Sequence, residues 1–116
     1  MNIILLFRAA FYICLVVIEY LATTTRHIPI VESMWDKANH FIAFFTLFIL
    51  LTLAYSSLNT LAKFLLLLAF GMQIEIVQSF IDGREFSLLD VVADSIGIII
   101  GIFAWSIFTK LRAKAL

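Results

Sequence analysis

The sequence predicts an all-α fold, an integral membrane four-helix bundle with cytoplasmic N- and C-termini. Three observations carry that expectation. The 116 residues are 64% hydrophobic with a mean hydropathy of +1.11, far above the roughly 45–50% apolar content of soluble domains. Four runs approach the roughly 20 apolar residues that a helix needs to cross the hydrocarbon core: 3–22, 38–55, 61–81 and 88–108. What is left over is a connector, Thr23 to Lys37, and two tight turns, so residues 1–116 read as a single transmembrane domain.

Taken in order, the first run carries Arg8 ahead of its apolar stretch, but Glu19 and Tyr20 stand where a cleaved signal needs small residues, so it reads as a retained span. The second is rich in phenylalanine (Phe41, Phe44, Phe45, Phe48), expected to face lipid and core. The third ends at Ile81-Asp-Gly-Arg-Glu-Phe-Ser-Leu, a tight turn in which Gly83 supplies permissive backbone angles and Ser87 can cap the fourth helix. In the fourth, Gly97 and Gly101 have the small-residue spacing that lets helices approach closely. That strip serves packing within the chain or self-association into a homo-oligomer. Trp35 and Trp105 stand where interfacial aromatic anchors belong. The lone Cys14 sits inside the first run and reads as an apolar filler.

Lysine and arginine near helix ends stay in the cytoplasm. With four spans, Arg8, Lys63, Lys110, Arg112 and Lys114 share the side of the termini, against Arg26, Lys37 and Arg84 opposite. The termini are therefore expected inside, in a multi-pass membrane protein. The net charge of zero speaks against nucleic acid, which requires a basic stripe.

On this topology every acid, Glu19, Glu32, Asp36, Glu75, Asp82, Glu85, Asp90 and Asp94, falls in the outer half or outer loops. Glu75 and Asp94 each lie six residues from the outer end of their run, about 9 Å deep at a rise of about 1.5 Å per residue. His40 enters slightly shallower and Glu19 reaches a similar level, so each helix is expected to send a polar group to one layer. An ionisable side chain in a span costs about 2.5–3.5 kcal/mol at the centre, so such groups face the bundle and find partners. Helical spacing agrees: Gly71, Glu75, Gln78 and Asp82 form one stripe, Asp90, Asp94, Gly97 and Gly101 a second, and Lys37, His40 and Phe44 a third.

The order Asp36-Lys37-x-x-His40-Phe41-x-x-Phe44, Glu75-x-x-Gln78, Arg84-x-x-Ser87-x-x-Asp90 and Gly97-x-x-x-Gly101 resembles the VanZ-like family of small bacterial membrane proteins. The resemblance covers roughly residues 36 to 101. That family is named after an accessory protein linked to resistance to the glycopeptide teicoplanin. What the resemblance implies is a role in the cell envelope and antibiotic resistance. One departure stands out: where the family usually has an asparagine four residues after the fourth-helix aspartate, this chain has Asp94.

The residues and the resemblance together leave three functions open. The polar cluster Asp36, Lys37, His40, Glu75, Gln78, Arg84, Ser87, Asp90 and Asp94 can bind or modulate a membrane lipid, a lipid-linked envelope precursor or a glycopeptide, Arg84 and Lys37 gripping a phosphate or carboxylate. Alternatively, His40, Glu75 and Asp94 act as catalytic acid and base in a membrane-embedded hydrolase or transferase. In the third reading, a structural or assembly subunit, Lys37, His40 and Arg84 neutralise Glu75, Asp90 and Asp94 and hold the helices in register. His40 with Glu75 and Asp94 could also bind a divalent metal, imidazole and carboxylate oxygen both being usual ligands, but no local metal motif such as H-E-x-x-H is present, so the sequence assigns no metal ligands and no cofactor.

Overall fold

A computed structural model of the protein describes residues 2–24, 36–81 and 86–115, with only the backbone of Asp36 and Lys37. Among the described residues there are four helices: α1 Ile3–Thr23, α2 Asp36–Ala54, α3 Thr60–Gln78 and α4 Leu88–Ala115. Among the described residues there are no strands.

Local chemistry sets the ends. Asn2 and Asn59 start α1 and α3 by accepting from the backbone N–H of Ile4 (2.9 Å) and Ala62 (2.7 Å), each satisfying one donor that the first turn leaves unmet. Past Gln78 the chain tightens, with Phe80 N–H donating to Val77 O and Ile81 N–H to Gln78 O, so regular helix stops short of the expected residue 81. α4 runs seven residues beyond the expected 108 because Thr109 to Ala115 contains no breaker. Hydropathy marks where a helix leaves lipid, not where it ends. Arg112 and Lys114 occupy its last turn, where cations complement the helix dipole.

The helices run up and down. Arg8 Nε donates to Ala54 O at 3.0 Å, pairing the start of α1 with the end of α2, and Gln78 Nε2 donates to Ala22 O at 2.6 Å, pairing the end of α3 with that of α1. α2 is central, packed against the other three and most extensively against α4. Phe44, Leu47, Phe48 and Leu51 of α2 form the core with Phe11, Leu67, Ile74 and Ile98; Phe41 and Phe45 are half-buried.

α1, α3 and α4 are long and apolar enough to cross a membrane, whereas the apolar part of α2, Ala38–Ala54, is shorter. The outer faces are correspondingly apolar, with Leu5, Ile13 and Val16 on α1, Leu61 and Leu65 on α3, and Ile100, Phe103 and Ile107 on α4 all exposed. In a bilayer these surfaces meet acyl chains, and each helix satisfies its own backbone.

Gly97 and Gly101 pack within the chain. A Cβ on Gly97 would stand 2.6 Å from Phe41 O and 3.1 Å from Phe41 Cα, and one on Gly101 3.1 Å from Phe48 Cδ2. The first obstacle is backbone and the second a side chain that can turn. Gly97→Ala should therefore lower stability by about 1–3 kcal/mol, the usual cost of overpacking, and Gly101→Ala by less, both read from unfolding midpoints in detergent. Equal losses, or none for Gly97→Ala, would contradict this packing.

Candidate functional site

Three helices assemble the site at the end of the bundle away from the termini. His40 lies one turn into α2, Glu75 about one turn before the end of α3, and Asp90 and Asp94 in the opening turns of α4. Asp90 and Asp94 are four residues apart and share a helix face. The His40 ring meets both: Nδ1 is 2.6 Å from Asp94 Oδ1 and Nε2 is 3.5 Å from Asp90 Oδ2. An ionised carboxylate only accepts, so His40 Nδ1–H is the donor to Asp94.

Asp94 reaches this position because Gly71 lies opposite. A Cβ at residue 71 would come 2.6 Å from Asp94 Oδ2 and 3.3 Å from Phe44 Cζ. The carboxylate thus occupies the space that a side chain on α3 would fill.

Glu75 is tied to the turn before α4. Its Oε1 accepts from Ser87 N–H at 3.0 Å, while Ser87 Oγ accepts from Asp90 N–H at 3.2 Å. Ser87 therefore caps α4 and links Glu75 to Asp90. Among the described residues, Glu75 Oε2 is buried without a hydrogen-bond partner. Burial is graded across the cluster: the Asp94 side chain is 1% exposed and Glu75 0%, against 9% for Asp90 and 14% for His40.

Not every residue of the expected layer joins in. Gln78 turns to α1, donating to Ala22 O. Glu19 accepts from Gln73 Nε2 at 3.3 Å on the exposed side of α1 and α3. Depth arithmetic put Glu19 at the right level, but level does not fix azimuth. The side chains of Asp36 and Lys37, and residues Asp82, Gly83, Arg84, Glu85 and Trp35, lie outside the described residues.

Sequence reasoning passed over Gln73 and Asn39. The Asn39 Nδ2 atom is buried without a partner among the described residues, and its signal was available: an amide beside His40 inside an apolar helix. The opposite end of the bundle differs in kind. Arg8 stacks over Tyr55 at 4.4 Å, the Tyr12 and Tyr55 hydroxyls are 2.8 Å apart, and a cavity of about 370 Å³ there is lined by apolar and tyrosine side chains such as Phe11, Leu51 and Phe70. Among the described residues, the carboxylates and the imidazole are all at the other end.

Chemically, the cluster can hold a cation, since one ligand atom from each of His40, Glu75 and Asp90 lies within 4.8 Å of the other two. It can also move a proton at His40 Nε2 while Asp94 orients the ring.

The family model described as VanZ/LLP1 matches residues 2–109. No curated protein and no solved structure matches the chain.

The Gly71 and Asp94 contact predicts a coupling. Gly71→Ala should lower stability by about 1–3 kcal/mol through overpacking, and by clearly less in an Asp94→Ala background, where the 2.6 Å obstacle is gone. A double-mutant cycle in detergent measures this. Additive effects would show that the carboxylate does not use the space at Gly71.

Proposed function

Because the chain belongs to the VanZ/LLP1 family, whose model spans residues 2–109, we propose that this membrane protein binds or modulates a polar ligand of the bacterial envelope. The ligand is a lipid headgroup, a lipid-linked wall precursor or a teicoplanin-type glycopeptide. The observation that carries the reading is the graded cluster: His40 and Asp90 keep an accessible edge above fully buried Glu75 and Asp94. A group that approaches this edge finds directional polar partners fixed on three helices, and little of the cluster has to reorganise to receive it. In sequence, Lys37 and Arg84 flank the same end and supply the cations for a phosphate or carboxylate.

In this reading the protein is a multi-pass component of the cytoplasmic membrane, with the cluster toward the extracytoplasmic face and the termini inside. Support comes from Lys110, Arg112 and Lys114, which lie on the exposed end of α4, as expected of a cytoplasmic anchor.

A second reading has a specific observation of its own. The 2.6 Å contact of His40 Nδ1 with Asp94 Oδ1 orients the ring as a general base is oriented in hydrolases and transferases. With Glu75 as the acid, the same cluster would act on a lipid headgroup. Turnover of a lipid-linked substrate by the purified protein, lost in His40→Ala, distinguishes this reading from binding alone.

Binding of labelled teicoplanin and of a lipid-linked wall precursor to the protein in nanodiscs tests the main reading. His40→Ala, Asp90→Ala and Arg84→Ala should each weaken binding of the cognate probe at least tenfold while expression and helicity are retained. If all three leave binding unchanged, the cluster is not the ligand site. A reporter fused to the C-terminus should score as cytoplasmic.

A further inference from the structure

We propose that His40, Glu75 and Asp90 bind a divalent transition-metal ion of the zinc class, with Asp94 as the positioning residue that holds His40. This goes beyond the envelope-ligand reading and does not depend on it.

Four observations converge. One ligand atom from each of the three residues lies within 4.8 Å of the other two, on three different helices. His40 Nε2 and Asp90 Oδ2 are 3.5 Å apart, close to the edge of about 3.4 Å expected between two ligands bound tetrahedrally at about 2.1 Å. The remaining edges are at most 4.8 Å. Glu75 Oε2 is buried without a hydrogen-bond partner among the described residues, and a cation beside it would supply what is missing. Finally, His40 Nδ1 donates to Asp94 Oδ1 at 2.6 Å. In the neutral ring this leaves the lone pair on Nε2, the nitrogen that faces Asp90. A metal-bound histidine with its second nitrogen held by a carboxylate is the usual outer-shell arrangement.

The donor set selects the class of ion. Magnesium and calcium favour sites made of oxygen alone, whereas imidazole suits zinc and its neighbours. Three protein ligands also leave a coordination position for water or for an oxygen donor from outside.

The competing arrangement is a protonated His40 bridging Asp90 and Asp94 with no metal. Metal analysis of the full chain purified in detergent, followed by stripping with chelator and titration with Zn²⁺ and with Co²⁺, separates the two. The expected result is one ion per chain and a Co²⁺ absorption band of low-coordinate nitrogen and oxygen ligation. His40→Ala, Glu75→Gln and Asp90→Asn should weaken Zn²⁺ binding at least 100-fold. Asp94→Ala should weaken it by about 10–100-fold, the range seen when an outer-shell partner is lost, with stoichiometry unchanged. The Co²⁺ spectrum of the unaltered protein needs no substitution, so it decides even where a variant fails to fold. A sub-stoichiometric ion, a spectrum of fully hydrated Co²⁺, or Zn²⁺ affinity indifferent to the three ligand substitutions overturns the proposal. Envelope-ligand binding by the stripped protein is read separately, so either idea can fail alone.

Discussion

The structure depends on one constraint: carboxylates inside apolar helices have to meet polar partners, because acyl chains offer none. Asp90 and Asp94 on α4 and Glu75 on α3 meet it by converging on His40 of α2 and on the Ser87 turn. That convergence is possible only because α2 and α4 come close. Gly97 sits against the Phe41 backbone, one residue beyond His40. A larger residue at 97 would part the helices at the level where the imidazole reaches across. Packing and site are therefore a single arrangement, and the small-residue strip serves the chemistry as much as the core.

Helix polarity distributes the charges. The N-termini of α2 and α4 lie at the acid end, where their dipoles favour negative groups, and Asp90 stands in the first turn of α4. At the other end the C-terminus of α2 presents Ala54 O, and the cation Arg8 bonds to it. Glu75 is the exception. It lies near the C-terminal, negative end of α3, where the dipole disfavours a carboxylate. The Ser87 N–H it receives comes from the turn before α4, so the turn compensates for what α3 itself does not supply. This is also why Ser87 belongs with the cluster: its backbone serves Glu75 while its hydroxyl serves Asp90.

Much of this was legible in the sequence, and the parts that were not share a cause. Apolar run length located all four helices because it is a local property. The end of α4 was missed because hydropathy falls after Phe108 while helix propensity does not. Periodicity and depth brought His40, Glu75 and Asp94 to one level, and the structure joins His40 to Asp94 and Asp90 directly. The pairings themselves depend on how neighbouring helices are rotated, which no single helix encodes. Thus Glu19, at a suitable depth, turns to Gln73, and Gln78, on the same stripe as Glu75, reaches a backbone carbonyl of α1. Gly71 was placed on the right stripe, but the carboxylate it admits belongs to another helix.

Asp94 is where this chain departs from the pattern it resembles, and geometry says what the departure changes. An asparagine there could still present its amide oxygen to His40 Nδ1–H, so the hydrogen bond alone does not call for an acid. The carboxylate differs in charge and in its second oxygen, which rests against the Gly71 backbone, where an amide would place an NH₂ group. With an asparagine the buried cluster would balance one imidazole against Glu75 and Asp90. With Asp94 it carries one more negative charge in a fully buried position of α4. A charge so placed lies too deep for water to screen. It raises the demand for positive charge at His40 and around it, whether from a proton, from Lys37 or Arg84, or from a bound cation. The substitution therefore acts on the electrostatics of the site while leaving its framework in place.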